Sequence, residues 1–136
     1  MKKINVYLDM DGTIADLYGQ ENWLEMLLAE ADGAFINCEP MTTEEEIFKH
    51  FPKTQYNVKV LSMTPKKATK AYCEKVIAEK NAWLDKFFPN ITERHYLPYG
   101  NNKNLKNSVN AILVDDNAEI RNNFRGLAIN PTELWG

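Results

Sequence analysis

The sequence predicts an α/β protein built on a Rossmann-like, doubly wound parallel sheet. Three observations carry that expectation. Short strand patterns alternate with amphipathic helix patterns, which favours a parallel sheet covered on both faces. Ala111–Val114 is a continuous apolar run, the pattern of a central strand buried on both sides. At 136 residues the chain is one domain's worth of sequence, since domains commonly hold about 100–150 residues.

Each element has its own signature. Ile4–Leu8 alternates and is rich in β-branched and aromatic residues, so it reads as the first strand. Two helix patterns follow. Trp23, Leu24, Leu27, Leu28 and Ala31 form an apolar stripe. Thr42 and Glu45 stand at capping-box spacing ahead of Ile47, Phe48 and Phe51, and Pro52 stops that helix. The segment 14–57 is longer than a plain crossover needs, and reads as a small helical cap inserted within the single domain 1–136. Val58–Leu61 is the second strand. A long helix runs from about Lys67 to Phe87, with Ala68, Tyr72, Val76, Lys80, Trp83 and Phe87 on one face. Lys80 is the only polar member of that stripe, and is expected to order the helix against a carboxylate. Arg94–Leu97, Ala111–Val114 and a weak Gly126–Ile129 complete the strands. A last helix covers about Ala118–Phe124.

Composition removes several classes. Apolar residues make up 44% and charged residues 26%, which excludes wholesale disorder, a collagen-like repeat and a coiled-coil rod. A net charge of −3 argues against a nucleic-acid footprint. Cys38 and Cys73 match no metal spacing and read as free thiols of a reducing compartment. The apolar stretch at the start is too short for a signal peptide and runs straight into Asp9 and Asp11. No window approaches a membrane span. A cytoplasmic location is the default expectation. His50 and His95 read as surface or packing residues.

The chemistry sits where strands end. In open parallel sheets, ligands bind beyond the carboxyl ends of the strands. The first strand ends in Asp9-Met10-Asp11-Gly12-Thr13, the second in Ser62, and the fourth in Asp115-Asp116. Two carboxylates about 4 Å apart repel by ~4 kcal/mol at an effective dielectric near 20. Such a cluster needs protons or a cation. An all-oxygen set too sparse for a full cage suits Mg²⁺. Asp9 and Asp11 are two apart and begin on one side of the chain. Gly12 then lets the backbone turn. Asp115 and Asp116 are adjacent and should diverge, so that one of them touches the metal.

Other readings of these residues exist. Asp116 and Glu119 stand at capping-box spacing, so the acidic pair could cap the next helix. The first motif also suggests a calcium loop, but its Gly is fourth rather than sixth and its twelfth position is Gln20.

The ordered set resembles the haloacid dehalogenase superfamily. Asp9-Met10-Asp11-Gly12-Thr13 looks like its first motif and Val58–Ser62 like its second. Lys103 stands where the third-motif lysine falls, and Ala111–Asp116 looks like the fourth motif. The closer likeness is to the 5'(3')-deoxyribonucleotidase branch. It rests on Asp9–Asp16, Ser62-Met63-Thr64-Pro65-Lys66, Glu79-Lys80 with Trp83-Leu84, and Ile112–Asp116. Met63 replaces a second hydroxyl common there, and Leu17 replaces an aromatic residue, with Tyr18 adjacent.

The resemblance implies a Mg²⁺-dependent phosphomonoesterase acting on a small phosphorylated substrate, a nucleoside monophosphate or another small ester. Asp9 would be the nucleophile and a metal ligand. Asp11 would be the acid and base, with its backbone carbonyl on the metal. Asp116 would be the other metal ligand. Ser62, the Met63 amide and Lys103 would bind the phosphoryl group, with Lys106 as a competitor for the lysine role. Tyr18 and Phe35 would reach the substrate, while stripe spacing places Trp23 and Phe48 in the core.

Two other functions use the same residues. One is a non-enzymatic phosphoacceptor resembling response-regulator receivers, although those carry the acidic pair on the first strand. The other is a catalytically weak binding protein on the same fold. With so short a cap, the site could stay open or borrow a wall from a second copy in a homodimer.

Overall fold

The computed structural model describes residues 2–105 and 108–136. Five strands form one parallel sheet: β1 (Ile4–Leu8), β2 (Tyr56–Met63), β3 (Arg94–Leu97), β4 (Ile112–Val114) and β5 (Leu127–Ile129). Their order is β3-β2-β1-β4-β5. The chain steps from β1 outward to β3, then returns to the other side of β1 for β4 and β5. Right-handed crossovers in opposite directions put helices on opposite faces. The α/β, doubly wound expectation is therefore met. The direction reverses between β1 and β4, where Val6 pairs with Ile112 and Leu8 with Val114. That is the switch point at which open sheets form a crevice.

Alternation along β1 divides the core in two. Val6 and Leu8 join Val60, Val114 and the buried stripe of α3 (Lys70–Phe87), including Tyr72, Val76, Trp83 and Leu84. Tyr7 joins Leu61, Leu113 and Phe124 on the other face, beside α4 (Ala118–Asn123). Fully burying a side chain of this kind contributes roughly 1.5–3 kcal/mol, so the central strands are held from both sides.

Four element boundaries differ from the sequence expectation. The α2 helix (Glu44–His50) is capped by Thr43, whose hydroxyl accepts from the Glu46 amide at 3.1 Å. Thr42, the expected cap, is buried with an unpaired Oγ1. The α4 helix is capped by Asn117, whose side chain accepts from the Ile120 amide at 3.1 Å. Asp116 is thus not the cap, and its carboxylate is free for the site. The α3 helix starts at Lys70, because Lys67 has a left-handed φ of 56° and Thr69 takes the cap. The second strand is longer than expected and carries Ser62 and Met63 within it.

The segment between β1 and β2 has two kinds of content. Ile47 of α2 and Phe51 are buried in the main core. The α1 helix (Trp23–Leu28) has no buried residue and no side-chain cap, and Leu24 and Leu28 are exposed. A helix this short is not stable alone. Its far end is pinned to α3. The Glu79 carboxylate accepts from the amides of Gly33, Phe35 and Ile36 at 3.0, 3.2 and 3.0 Å. Glu30 accepts from the Thr69 amide and hydroxyl, both at 2.8 Å. No helix among the described residues is long and apolar enough to cross a membrane.

Candidate functional site

β1 and β4 deliver their acids to one place because the ladder continues past both strands. The Asp9 amide donates to the Val114 carbonyl at 2.9 Å, and the Asp115 amide to the Ile129 carbonyl at 3.1 Å. After Asp9 the chain turns sharply. The amides of Thr13, Ile14 and Ala15 all converge on the Met10 carbonyl at 3.1, 3.0 and 2.9 Å. Gly12 makes the turn with φ of 81°. A Cβ there would strike Asp116 Oδ2 and stand 2.9 Å from Tyr18 Cε2. Both the dihedral and the close approach demand glycine.

Asp9, Asp115 and Asp116 bring one carboxylate oxygen each to within 4.8 Å of one another. Lys103 sits among them. Its ammonium donates to Asp9 Oδ1 and to Asp115 Oδ2, both at 2.8 Å. The Asn117 amide takes Asp115 Oδ1 at 2.9 Å, so both oxygens of Asp115 are engaged. The Thr13 hydroxyl lies 3.0 Å from Asp9 Oδ2 and 3.3 Å from Asp116 Oδ1. It also accepts from the Asp116 amide at 3.2 Å. With one proton, that hydroxyl can donate to only one carboxylate at a time. Asp116 is the acid of the pair with coordination capacity to spare.

The electrostatics follow from this packing. Burial pushes Asp9 up, but the charge of Lys103 and hydrogen bonds from Asp116, Lys103 and Thr13 outweigh it and hold Asp9 below its ordinary value. Asp115 is raised to about 6 by burial and then by the charge of Asp9. Asp116 is raised to about 7 by burial, by its hydrogen bond with Asp9, and by the charges of Asp9 and Asp115. Burial opposes the charge on Lys103, but Asp9 and Asp115 raise its pKa. Among the described residues, one buried cation facing three acids leaves excess negative charge. The group could hold a metal ion, and its donors are all hard oxygens.

Asp11 is held apart from this group. Its Oδ2 accepts from the Lys80 ammonium at 3.0 Å, and its buried Oδ1 has no partner among the described residues. Burial, followed by the charge of Asp9, raises Asp11 against the opposing pull of Lys80. Lys80 also donates to Ser62 Oγ at 2.7 Å and to the Met63 carbonyl at 2.9 Å. Ser62 is therefore part of the site's framework, fully buried beneath its floor.

A cavity of about 530 Å³ opens above these groups. Asp9, Asp11, Lys103 and Asp116 form its floor. Tyr18, Trp23, Leu24, Leu28 and Phe35 form one wall, and Met63–Lys67 with Tyr99 form the rim. Tyr18 and Trp23 meet edge to face at 4.9 Å. Burial and the nearby Asp11 and Asp116 push the Tyr18 phenol well above its ordinary value. A second hollow, about 410 Å³, lies at the amino end of β2 beside Lys3 and Phe48, and contains no carboxylate of the cluster.

The structure thus brings together Asp9, Asp11, Lys103, Asp116, Met63, Tyr18 and Phe35 around one cavity. Trp23 packs against the main core, as expected, and also lines the cavity. Phe48 packs against the core far from it. Lys106 lies outside the described residues. Two residues in the network have partners that the sequence does not reveal, although Lys80 meets a carboxylate as expected. Thr13 stands within the first motif, and only its contact across the sheet reveals it. Lys80 carried a signal, as the lone lysine of an apolar stripe, without an address. Compared with known proteins, the chain matches no family model and no curated sequence.

Proposed function

We propose that the protein is a Mg²⁺-dependent phosphomonoesterase resembling the haloacid dehalogenase superfamily, acting through an aspartyl-phosphate on Asp9. The carrying observation is the Lys103 bridge between Asp9 and Asp115 at the switch point, with Asp116 beside it. It describes a carboxylate kept ionised among acids that need a cation.

The chemistry is a double displacement. Asp9 attacks phosphorus, the ester P–O bond breaks, and Asp11 gives its proton to the leaving oxygen. Asp11 then takes a proton from water, which attacks the phosphoryl group and returns Asp9 as a carboxylate. Lys103 neutralises charge on the phosphoryl group, and the Met63 amide would donate a hydrogen bond to it, while Ser62, buried and outside the cavity lining, serves as an acceptor for Lys80. The carboxylates of Asp9 and Asp116 and the backbone carbonyl of Asp11 would hold Mg²⁺, which supplies Lewis-acid neutralisation of the transferring group.

The cavity wall favours a substrate with a flat organic portion. Of Tyr18, Trp23, Leu24, Leu28 and Phe35, only Tyr18 and Trp23 carry a polar side-chain atom. A polyol would leave hydroxyls unpaired there, at roughly 1–3 kcal/mol for each buried group. Nucleoside monophosphates are thus the favoured class over sugar phosphates.

Phosphate release across nucleotides, sugar phosphates and an aryl phosphate, with and without Mg²⁺, tests the reading. Mg²⁺-dependent release, fastest with nucleoside monophosphates, supports it. A long-lived aspartyl-phosphate without turnover would instead indicate a receiver-like switch.

A further inference from the structure

We propose that the substrate carries a second phosphate group, and that Lys66 and Lys67 bind it on the far side of the cavity. The inference rests on the phosphomonoesterase reading above and narrows its substrate to a nucleoside bisphosphate. Both lysines are exposed, and both line the cavity that has Asp9 and Asp116 on its floor. Among the described residues the acids of the floor pair with Lys80 and Lys103, and neither Lys66 nor Lys67 has an acid partner. Glu30 reaches the same loop, but its carboxylate is bound to Thr69. Two adjacent ammonium groups beside a cavity, with no acid to neutralise them, are suited to an anion that enters it.

Sheet order places these lysines away from the reacting group. Asp9 follows β1, and Asp116 follows β4. The Thr64 amide donates to the Leu97 carbonyl at 2.9 Å, which extends the β2–β3 pairing beyond Met63. The chain after it stays on the β3 side, where the Lys66 ammonium stands 5.7 Å from the centre of the Tyr99 ring. Lys67 holds a left-handed φ of 56°, which residues with side chains seldom adopt, and α3 begins only at Lys70. The pair thus belongs to the cavity rim and not to the helix. In the order β3-β2-β1-β4 the two places lie two strand spacings apart, roughly 10 Å. An ammonium held at Tyr99 is too far from a phosphoryl group on Asp9 and Lys103 to bond to it. The other end of a nucleotide is within its range. The two phosphates of a nucleoside diphosphate share an oxygen and stay together, whereas a 3',5'-bisphosphate keeps the sugar between them. With a net charge of −3, one lysine pair suits one added phosphate and not a polyanion.

The test compares phosphate release from a nucleoside 3',5'-bisphosphate with release from the 5'-monophosphate of the same nucleoside, with Mg²⁺ present and an aryl phosphate as control. Wild-type kcat/KM should favour the bisphosphate by about fivefold or more, through KM, the scale of two exposed charge contacts. That exceeds what its second ester bond adds by count. Added salt should shrink the preference, because exposed charges are screened. The double variant Lys66→Gln with Lys67→Gln should lose the preference, its bisphosphate KM rising about fivefold more than its monophosphate KM. A wild type without preference, a preference that survives the double substitution, or equal losses on both nucleotides overturns the assignment while leaving the phosphatase reading in place. Turnover of the aryl phosphate alone does the same. No release from any of the three esters overturns both.

Discussion

Among the described residues, two buried lysines face the acids of this site, and they do so in opposite ways. Lys103 stands between β1 and β4 and bonds to Asp9 and Asp115, with Asp116 close by. One positive charge meets three negative ones, and the surplus raises Asp115 and Asp116. Lys80 stands between β1 and β2 and meets one carboxylate, Asp11, plus two neutral oxygens. Its charge is balanced and its donors are used up. The difference teaches how four neighbouring acids divide their labour. One group retains a charge deficit that a cation can fill, and the other is a closed pair that can hold a proton.

The largest effect is expected at Asp9, the proposed nucleophile. Asp9→Asn keeps the shape but removes the attacking charge, and turnover of an aryl phosphate should fall by on the order of 10⁴-fold or more, with the fold intact. Wild-type-like turnover would break the division of labour at its centre.

Next come the two lysines compared directly. Lys103→Met strands Asp9 and Asp115 in the interior, and breaking a buried pair costs about 3–5 kcal/mol. Chemical denaturation should show that loss, and added Mg²⁺ should restore part of it. Lys80→Met should cost less, roughly 1–3 kcal/mol, because it strands a single carboxylate, which can take up a proton. Mg²⁺ should not restore that loss.

The charge deficit also sets a pH dependence. Asp115 and Asp116 have folded values of about 6 and about 7, above the ordinary 3.8. The folded state keeps protons that the unfolded chain has released. That contribution to stability is full below about pH 4 and is lost as pH rises to about 7. Asp9, held below 3.8, works in reverse, and its contribution is lost only as pH falls further. Melting temperature without metal should therefore decline between about pH 4 and pH 7 on account of this pair, and saturating Mg²⁺ should flatten the decline.

A smaller change should arise at the cavity wall. Trp23→Ala should raise KM for a nucleoside monophosphate about tenfold, equivalent to about 1.4 kcal/mol, with kcat nearly unchanged. An equal effect on inorganic phosphate binding would show that the wall does not contact the organic part of the substrate.

Much of this architecture was legible in the sequence, and the illegible part has a common cause. The alternation of Ile4–Leu8 and the apolar run Ala111–Val114 specify strands by local pattern, and their ends place Asp9, Asp11 and Asp116 at the switch point. Local pattern was less decisive where two capping residues stood side by side. Thr42 and Thr43, or Asp116 and Asn117, compete for a helix start, and tertiary packing chose the second of each pair. Lys80 shows the other limit. A stripe at helical spacing says that a residue faces inward, but not which strand end it reaches. Its partner Asp11 lies 69 residues away. Thr13 meets Asp116 across 103 residues. Such pairings follow from sheet order, which no single segment encodes.

In the proposed reaction Asp9 accepts the phosphoryl group in a Mg²⁺-dependent step. Rapid acid quenching of wild-type protein during turnover, followed by peptide mass spectrometry, addresses it directly. One added phosphoryl group is expected on the peptide containing Asp9 when Mg²⁺ is present, and none after chelation or in Asp9→Asn. Phosphate release with no adduct on Asp9, or with the adduct on another residue, would contradict it.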